Sequence, residues 1–209
     1  MRVLQSAGHT MPTLKSVKVF LQAGDIEGLA LTEAVASIRL NDQSDTVFKI
    51  KQPDGTLLDV EVLRIPGHVY RRAAVDGYPG ITDSTRFFEL TTAQAAEELD
   101  LSQLFTPGSG LFSLLGAGRY ARYQRSEELG DAKDDMVTAT YAPNQIGGLL
   151  RPGVAPAGDV QATVWSGQSD HLVRRMLLSG PLLQAGQKIA VDLDLSNLNQ
   201  PVFIRNPPF

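Results

Sequence analysis

An alternation of period two constrains this chain more than any other feature. At 188–196, Ile189, Val191, Leu193 and Leu195 fall on one face, and Lys188, Asp192 and Asp194 on the other. Successive side chains of a strand point to opposite sides, so this pattern gives one buried face and one wetted face. Comparable segments run at 16–24, 32–41, 45–52, 57–65 and 68–73, and again at 118–128, 134–141, 159–166 and 170–179. Turn residues separate them, among them Pro53-Asp54-Gly55, Pro66-Gly67, Gly130-Asp131 and Gly167-Gln168-Ser169. Short gaps between about ten strands imply a mostly antiparallel sheet with one face covered.

Helical material is scarce. Residues 2–14 form a short amphipathic segment. Residues 92–105 have Thr91 or Thr92 as N-cap, with acids expected in the first turns. Residues 109–116 follow Pro107, with Ser109 as a candidate N-cap, and residues 143–151 open on Pro143. Two of these pieces are apolar almost all round: Leu111, Phe112, Leu114 and Leu115 in one, Ile146, Leu149 and Leu150 in the other. A surface helix keeps a polar face, so these two are expected to touch apolar material on more than one side. The expected class is α+β, a single domain over 1–209. Its helical cover comes from 2–14, 92–116 and 143–151. So large a sheet under so little helix leaves an apolar hollow, unless it closes into a barrel and buries those side chains on itself. The alternation leaves both open.

Composition narrows the function. The chain has 209 residues, 43% hydrophobic and 20% charged, which suits one globular domain. The net charge of −4 offers no basic field for a nucleic acid. No run approaches the roughly 18 apolar residues of a membrane span. The absence of cysteine excludes disulfides, zinc–thiolate sites and a thiol nucleophile. The first residues show no signal-peptide pattern.

Catalytic constellations are not apparent. His9, His68 and His171 lie at no metal-ligand spacing and read as surface or turn histidines. Asp170-His171 has no serine in a nucleophile-elbow context, because Ser109 lacks the strand that must precede it. The acidic pairs Glu97-Glu98, Glu127-Glu128, Asp134-Asp135 and Asp192/Asp194 read as solvated surface. The glycines at 108, 110, 116 and 118 match no phosphate-binding fingerprint. No enzyme activity, cofactor or metal is expected. Of Arg71-Arg72 and Arg174-Arg175, one of each pair is expected to face water and its neighbour to cap a sheet edge. Core packing is the default reading of Trp165, with pocket lining as the alternative, and Phe87-Phe88 carry the same ambiguity.

The order of elements, and several short segments, resemble the LppX/LprG family of bacterial envelope lipoproteins. Those segments are Ala162-Thr163-Val164-Trp165, a turn, and Asp170-His171-Leu172-Val173-Arg174-Arg175. Leu14 through Val19 and Tyr70-Arg71-Arg72 also fit, and the likeness spans roughly 4–196. The resemblance implies a LolA-like half-barrel, a curved antiparallel sheet whose concave face is covered by short helices. It further implies non-catalytic binding and transport of acylated lipids or glycolipids in an apolar cavity within the cell envelope. An envelope transporter or acceptor protein would be the partner.

The cavity candidates under this reading are Phe87, Leu101, Leu104, Phe105, Leu111, Phe112, Leu114 and Leu115. Ile146, Leu149, Leu150, Val164 and Met176 complete the set. Gly147-Gly148 would loosen its helix, and Arg119, Arg122 and Arg151 are candidates for a headgroup. Alternatives on the same fold are a lipoprotein carrier of the LolA/LolB type and an envelope sensory module that binds protein. Family members carry a signal peptide and a lipidated cysteine ahead of the first helix; this sequence has neither. If Met1 replaces them, the native form is membrane-anchored and extracytoplasmic. If Met1 is the native start, the protein is cytoplasmic.

Overall fold

The structure, a computed structural model, describes residues 2–24, 31–40, 42–130, 132–146, 157–181 and 189–206. Among these residues, eleven strands form one antiparallel sheet in the order β6-β5-β4-β3-β2-β1-β11-β10-β9-β8-β7. The first half comprises β1 (Ser16–Ala23), β2 (Leu31–Arg39), β3 (Gln43–Lys51), β4 (Leu57–Ile65), β5 (His68–Ala73) and β6 (Phe88–Glu89). The second half comprises β7 (Arg119–Leu129), β8 (Ala132–Tyr141), β9 (Val160–Gly167), β10 (Val173–Gly180) and β11 (Ile189–Ser196). Each half is a meander of sequential neighbours. The two meet through β1 and β11, with Val19 opposite Leu195 and Leu21 opposite Leu193.

This order fixes the path of the middle of the chain. The polypeptide leaves β6 at one edge of the sheet and re-enters it as β7 at the other. Residues 90–118 therefore cross a face, and they supply most of its cover. In a flat sheet, ten spacings of about 4.8 Å would separate the edges by about 48 Å. The sheet instead curls. Val62 and Ala73 from one half share a single hydrophobic cluster with Val137 and Tyr141 from the other. The result is an open half-barrel, not a closed barrel, because β6 and β7 are not paired.

The alternation explains which face turns inward. In β1, Val17, Val19 and Leu21 are buried while Lys18 and Gln22 are exposed. Their neighbours on the same face, Ile38, Ala36 and Ala34 of β2, are fully buried. The outer face carries ion pairs such as Lys49–Glu33 and Arg175–Asp192.

The cover is shorter and tighter than the expected helices. It consists of α1 (Arg2–Thr10), a 3-10 turn at Met11–Thr13, α2 (Thr92–Glu97), 3-10 segments at Leu101–Phe105 and Leu111–Ala117, and α3 (Pro143–Ile146). Thr91 is the N-cap of α2, and with Gln94 it makes a reciprocal capping box. The acids expected to favour its start, Glu97 and Glu98, fall instead at its C-terminal end. Residues 109–116, expected as an α-helix, wind as 3-10, with Gly110 rather than Ser109 at the N-cap position.

Candidate functional site

Three features lie on the concave side: an apolar layer, a polar latch and a cleft at the rim.

The apolar layer is built where the cover meets the sheet. Leu101, Leu104 and Phe105 enter it from one 3-10 segment, and Leu111, Phe112 and Leu115 from the next. Ile146 comes from α3, and Val164 and Met176 from β9 and β10. All of these are at most 3% exposed and belong to the same cluster. The Phe105 and Phe112 rings lie 4.9 Å apart at 32°, an offset arrangement favourable for two aromatic rings. A water-sized hollow beside Phe112, Val164 or Met176 would leave them partly accessible, and each is 0% exposed. Around these three side chains cover and sheet are in direct contact, because curvature of the sheet brings both halves onto the small cover.

Close backbone approach makes this packing possible. A Cβ added to Gly8 of α1 would lie 3.3 Å from the Phe112 carbonyl oxygen. A Cβ at Gly110 would lie 2.5–2.7 Å from backbone atoms of residues 103, 104 and 106. The buried Tyr141 hydroxyl donates to the Leu115 carbonyl at 3.0 Å, tying the cover to β8. Burial pushes the Tyr141 phenol pKa far up.

Not every candidate lies in this layer. Leu114 is only half-buried. Phe87 lies beneath the Arg72 guanidinium, 5.0 Å from it, and is absent from the cluster. Leu149 and Leu150, with Gly147, Gly148 and Arg151, lie outside the described residues. Of the other headgroup candidates, Arg119 is committed to both carboxylate oxygens of Asp159 at 2.9 Å, and Arg122 is exposed on the edge strand β7.

The latch is polar. Arg64 of β4 donates to the carbonyls of Ala95 and Glu98 and lies 3.6 Å from Asp100. Arg71 of β5 donates to the Glu98 carboxylate at 2.6 Å and sits against Tyr78 and the Pro79 carbonyl. Two strand arginines thus clip the stretch around α2 to the sheet. Alternation carried a signal for them. Arg64 shares its face with Val60 and Val62, and Arg71 is the partner of Val62, so both cations point inward.

The cleft has a volume of about 420 Å³ and opens where the β2–β3 hairpin faces the cover. Arg39, Asp42 and Ser44 line it from the hairpin, and Asp100, Gln103 and Phe105 from the cover. Asp100 caps its segment, accepting from the Ser102 amide at 3.0 Å. Apart from Phe105, the sequence reading did not single out these residues, because they are adjacent only after the cover folds back over β2–β4.

Other expectations are corrected. Trp165 is buried but stands outside the core cluster of the concave face. It lies on the outer face under Arg175, 5.4 Å away, with its indole N–H directed at Glu127. Both members of each Arg pair are engaged: Arg72 with Glu61, Arg174 with Asp134 and Asp170, and Arg175 with Asp192. The histidines are as expected: His68 is exposed and paired with Glu89 at 2.6 Å, and His171 is exposed beside a turn with φ 57°.

The family model of the LppX_LprAFG lipoproteins matches residues 1–204. The chain belongs to the LppX_LprAFG lipoprotein family. Among solved structures, LprF from Mycobacterium bovis is similar with a TM-score of 0.76 at 18% identity, over 99% of this chain and 95% of LprF. LppX from Mycobacterium tuberculosis is similar with a TM-score of 0.64 at 18% identity, over 98% of this chain and 97% of LppX. No curated protein matches the sequence. At these identities the two structures establish the shared half-barrel, and membership of the family rests on the sequence match. Among the described residues, no helix is long and apolar enough to cross a membrane.

Proposed function

We propose that this protein is a non-catalytic carrier of acylated lipids, working in the bacterial cell envelope. The observation that carries the reading is the layer between sheet and cover. It is lined by apolar side chains from Leu101 to Ile146, and it is closed by 3-10 segments rather than by long helices. Hydrogen bonds in a 3-10 helix are poorer than in an α-helix, so such a cover is cheap to displace. An acyl chain enters by parting the cover from the sheet and replacing contacts between side chains with contacts to itself. Burying one methylene contributes about 0.8 kcal/mol, so a chain of roughly sixteen carbons gains on the order of 10 kcal/mol. That gain exceeds the cost of reopening a few packed contacts, and no reacting group is required.

The test is native mass spectrometry of the purified chain, followed by solvent extraction and identification of what is released. The expected result is an adduct that disappears on extraction and reappears as an acylated lipid. The reading is overturned by a bare mass together with no uptake of added lipid.

A further inference from the structure

Residues 197–206 leave β11 and lie on the outer face of the sheet. They are pinned first at β1. The Asn199 amide donates to the Ser16 carbonyl at 2.9 Å, and the Ser16 hydroxyl donates to the Gln200 carbonyl at 2.6 Å. Further on, Arg205 reaches Asp45 of β3 and Glu61 of β4. Between these anchors Val202 is buried, and so is Leu63 of β4, the register partner of Asp45. Neither belongs to the core cluster of the concave face. Both lie on the outer side, where the tail crosses.

The second anchor is a stronger site than its occupant. The Asp45 and Glu61 side chains are 10% and 6% exposed, whereas that of Arg205 is 47% exposed. Carboxylates so buried need complete pairing. Glu61 Oε2 accepts from Arg72, but Oε1, although 3.1 Å from Arg205, accepts no hydrogen bond. Asp45 lies 3.3 Å from the guanidinium, longer than the roughly 2.8 Å of a charge-assisted hydrogen bond. Burial and repulsion from Glu61 outweigh that guanidinium and raise the Asp45 pKa. Among the described residues, the backbone of 201–206 makes no hydrogen bond to other backbone, and Phe203 points into solvent.

We propose that this outer-face groove docks an extended, arginine-bearing segment of a partner protein, and that the chain's own tail is a displaceable stand-in for it. A guanidinium seated squarely across Asp45 and Glu61 would supply the hydrogen bond that Glu61 Oε1 lacks. An apolar residue three positions ahead would replace Val202. The groove faces away from the apolar layer, so the inference does not rest on the carrier reading.

The test is fluorescence anisotropy with the full chain and a labelled peptide copying residues 199–206. The tethered tail competes at high effective concentration. The peptide is therefore expected to bind the wild type weakly but saturably, and Arg205→Ala about tenfold more tightly. Alanine in place of the peptide's arginine is expected to weaken binding about tenfold, as is Asp45→Asn added to Arg205→Ala. The alanine peptide is compared on the wild-type chain, so that arm depends on no variant folding. Absence of binding to the wild type would overturn the proposal, as would an alanine peptide that binds equally well. Dimers of the chain that the peptide dissociates would also overturn it, by assigning the groove to the tail of a second copy.

Discussion

Arg71 of β5 reaches the carboxylate of Glu98, just past the end of α2, at 2.6 Å, with the two side chains only 13% and 17% exposed. This contact joins the sheet to a cover that is otherwise held largely by apolar packing. Breaking one half of a buried pair leaves the other charge uncompensated. Arg71→Ala is therefore expected to cost about 3 kcal/mol in urea unfolding at neutral pH. Replacing both residues, as in Arg71→Met with Glu98→Leu, is expected to recover most of the loss. A double variant no more stable than the single one would count against the latch.

Phe112 is fully buried at the centre of the layer and packs on Phe105. Phe112→Ala removes a ring from a site with no room to collapse, and is expected to cost about 3–5 kcal/mol. Under the carrier reading, the loss shrinks when acylated lipid is present, because the chain refills the space. Thermal unfolding with and without lipid measures both effects. An equal loss in both conditions would argue against an acyl chain in this layer.

Gly110 lies where two cover segments cross, and an added Cβ would meet backbone atoms at 2.5–2.7 Å. Backbone cannot swing aside as a side-chain tip can. Gly110→Ala is expected to destabilise the fold by about 1–3 kcal/mol. Gly55, with nothing within 4 Å, has no such clash, and any cost of Gly55→Ala comes only from its φ of 87°. Chemical denaturation of the two variants side by side separates crowding from backbone strain.

Asp45 and Glu61 share a site on the outer face beneath Arg205, which lies 3.3 Å from Asp45 and 3.1 Å from Glu61. Burial, followed by repulsion from Glu61, raises the Asp45 pKa above its ordinary 3.8, although Arg205 opposes the shift. A raised pKa means that the folded chain holds the proton more tightly than the unfolded chain. The stability from this group is therefore fully present below the unfolded value and is lost as pH rises through the folded one. Relative to Asp45→Asn, the wild type is expected to gain stability as pH falls from 7 to 4. A difference between the two that stays flat, or runs the other way, would rule this out.

Much of the fold is legible in the residues. The alternation at 16–24 and 57–65 marks β1 and β4 to within a residue or so, and Thr91 marks the start of α2. The same alternation, followed strictly, places Trp165 opposite to Val164 in facing, hence on the outer side, and turns Arg64 inward beside Val62. What no local pattern marks is the end of α2. Glu98 leaves the helix in an extended conformation, with its carboxylate on Arg71 and its carbonyl on Arg64. Both partners lie more than twenty residues upstream.

By itself, the sequence determined ten of the eleven described strands, the face most of them bury and the scarcity of helix, because these follow from side-chain period and local capping. The tertiary structure alone decided that β1 pairs with β11, and so that residues 90–118 must cross the concave face. It also decided that both halves of the sheet share one core with the cover, and that Arg39, Asp42 and Ser44 meet Asp100 and Gln103 around one cleft. Those outcomes depend on contacts between residues far apart in the chain. Their energies come from shared burial and paired charge, and no window of sequence contains both partners.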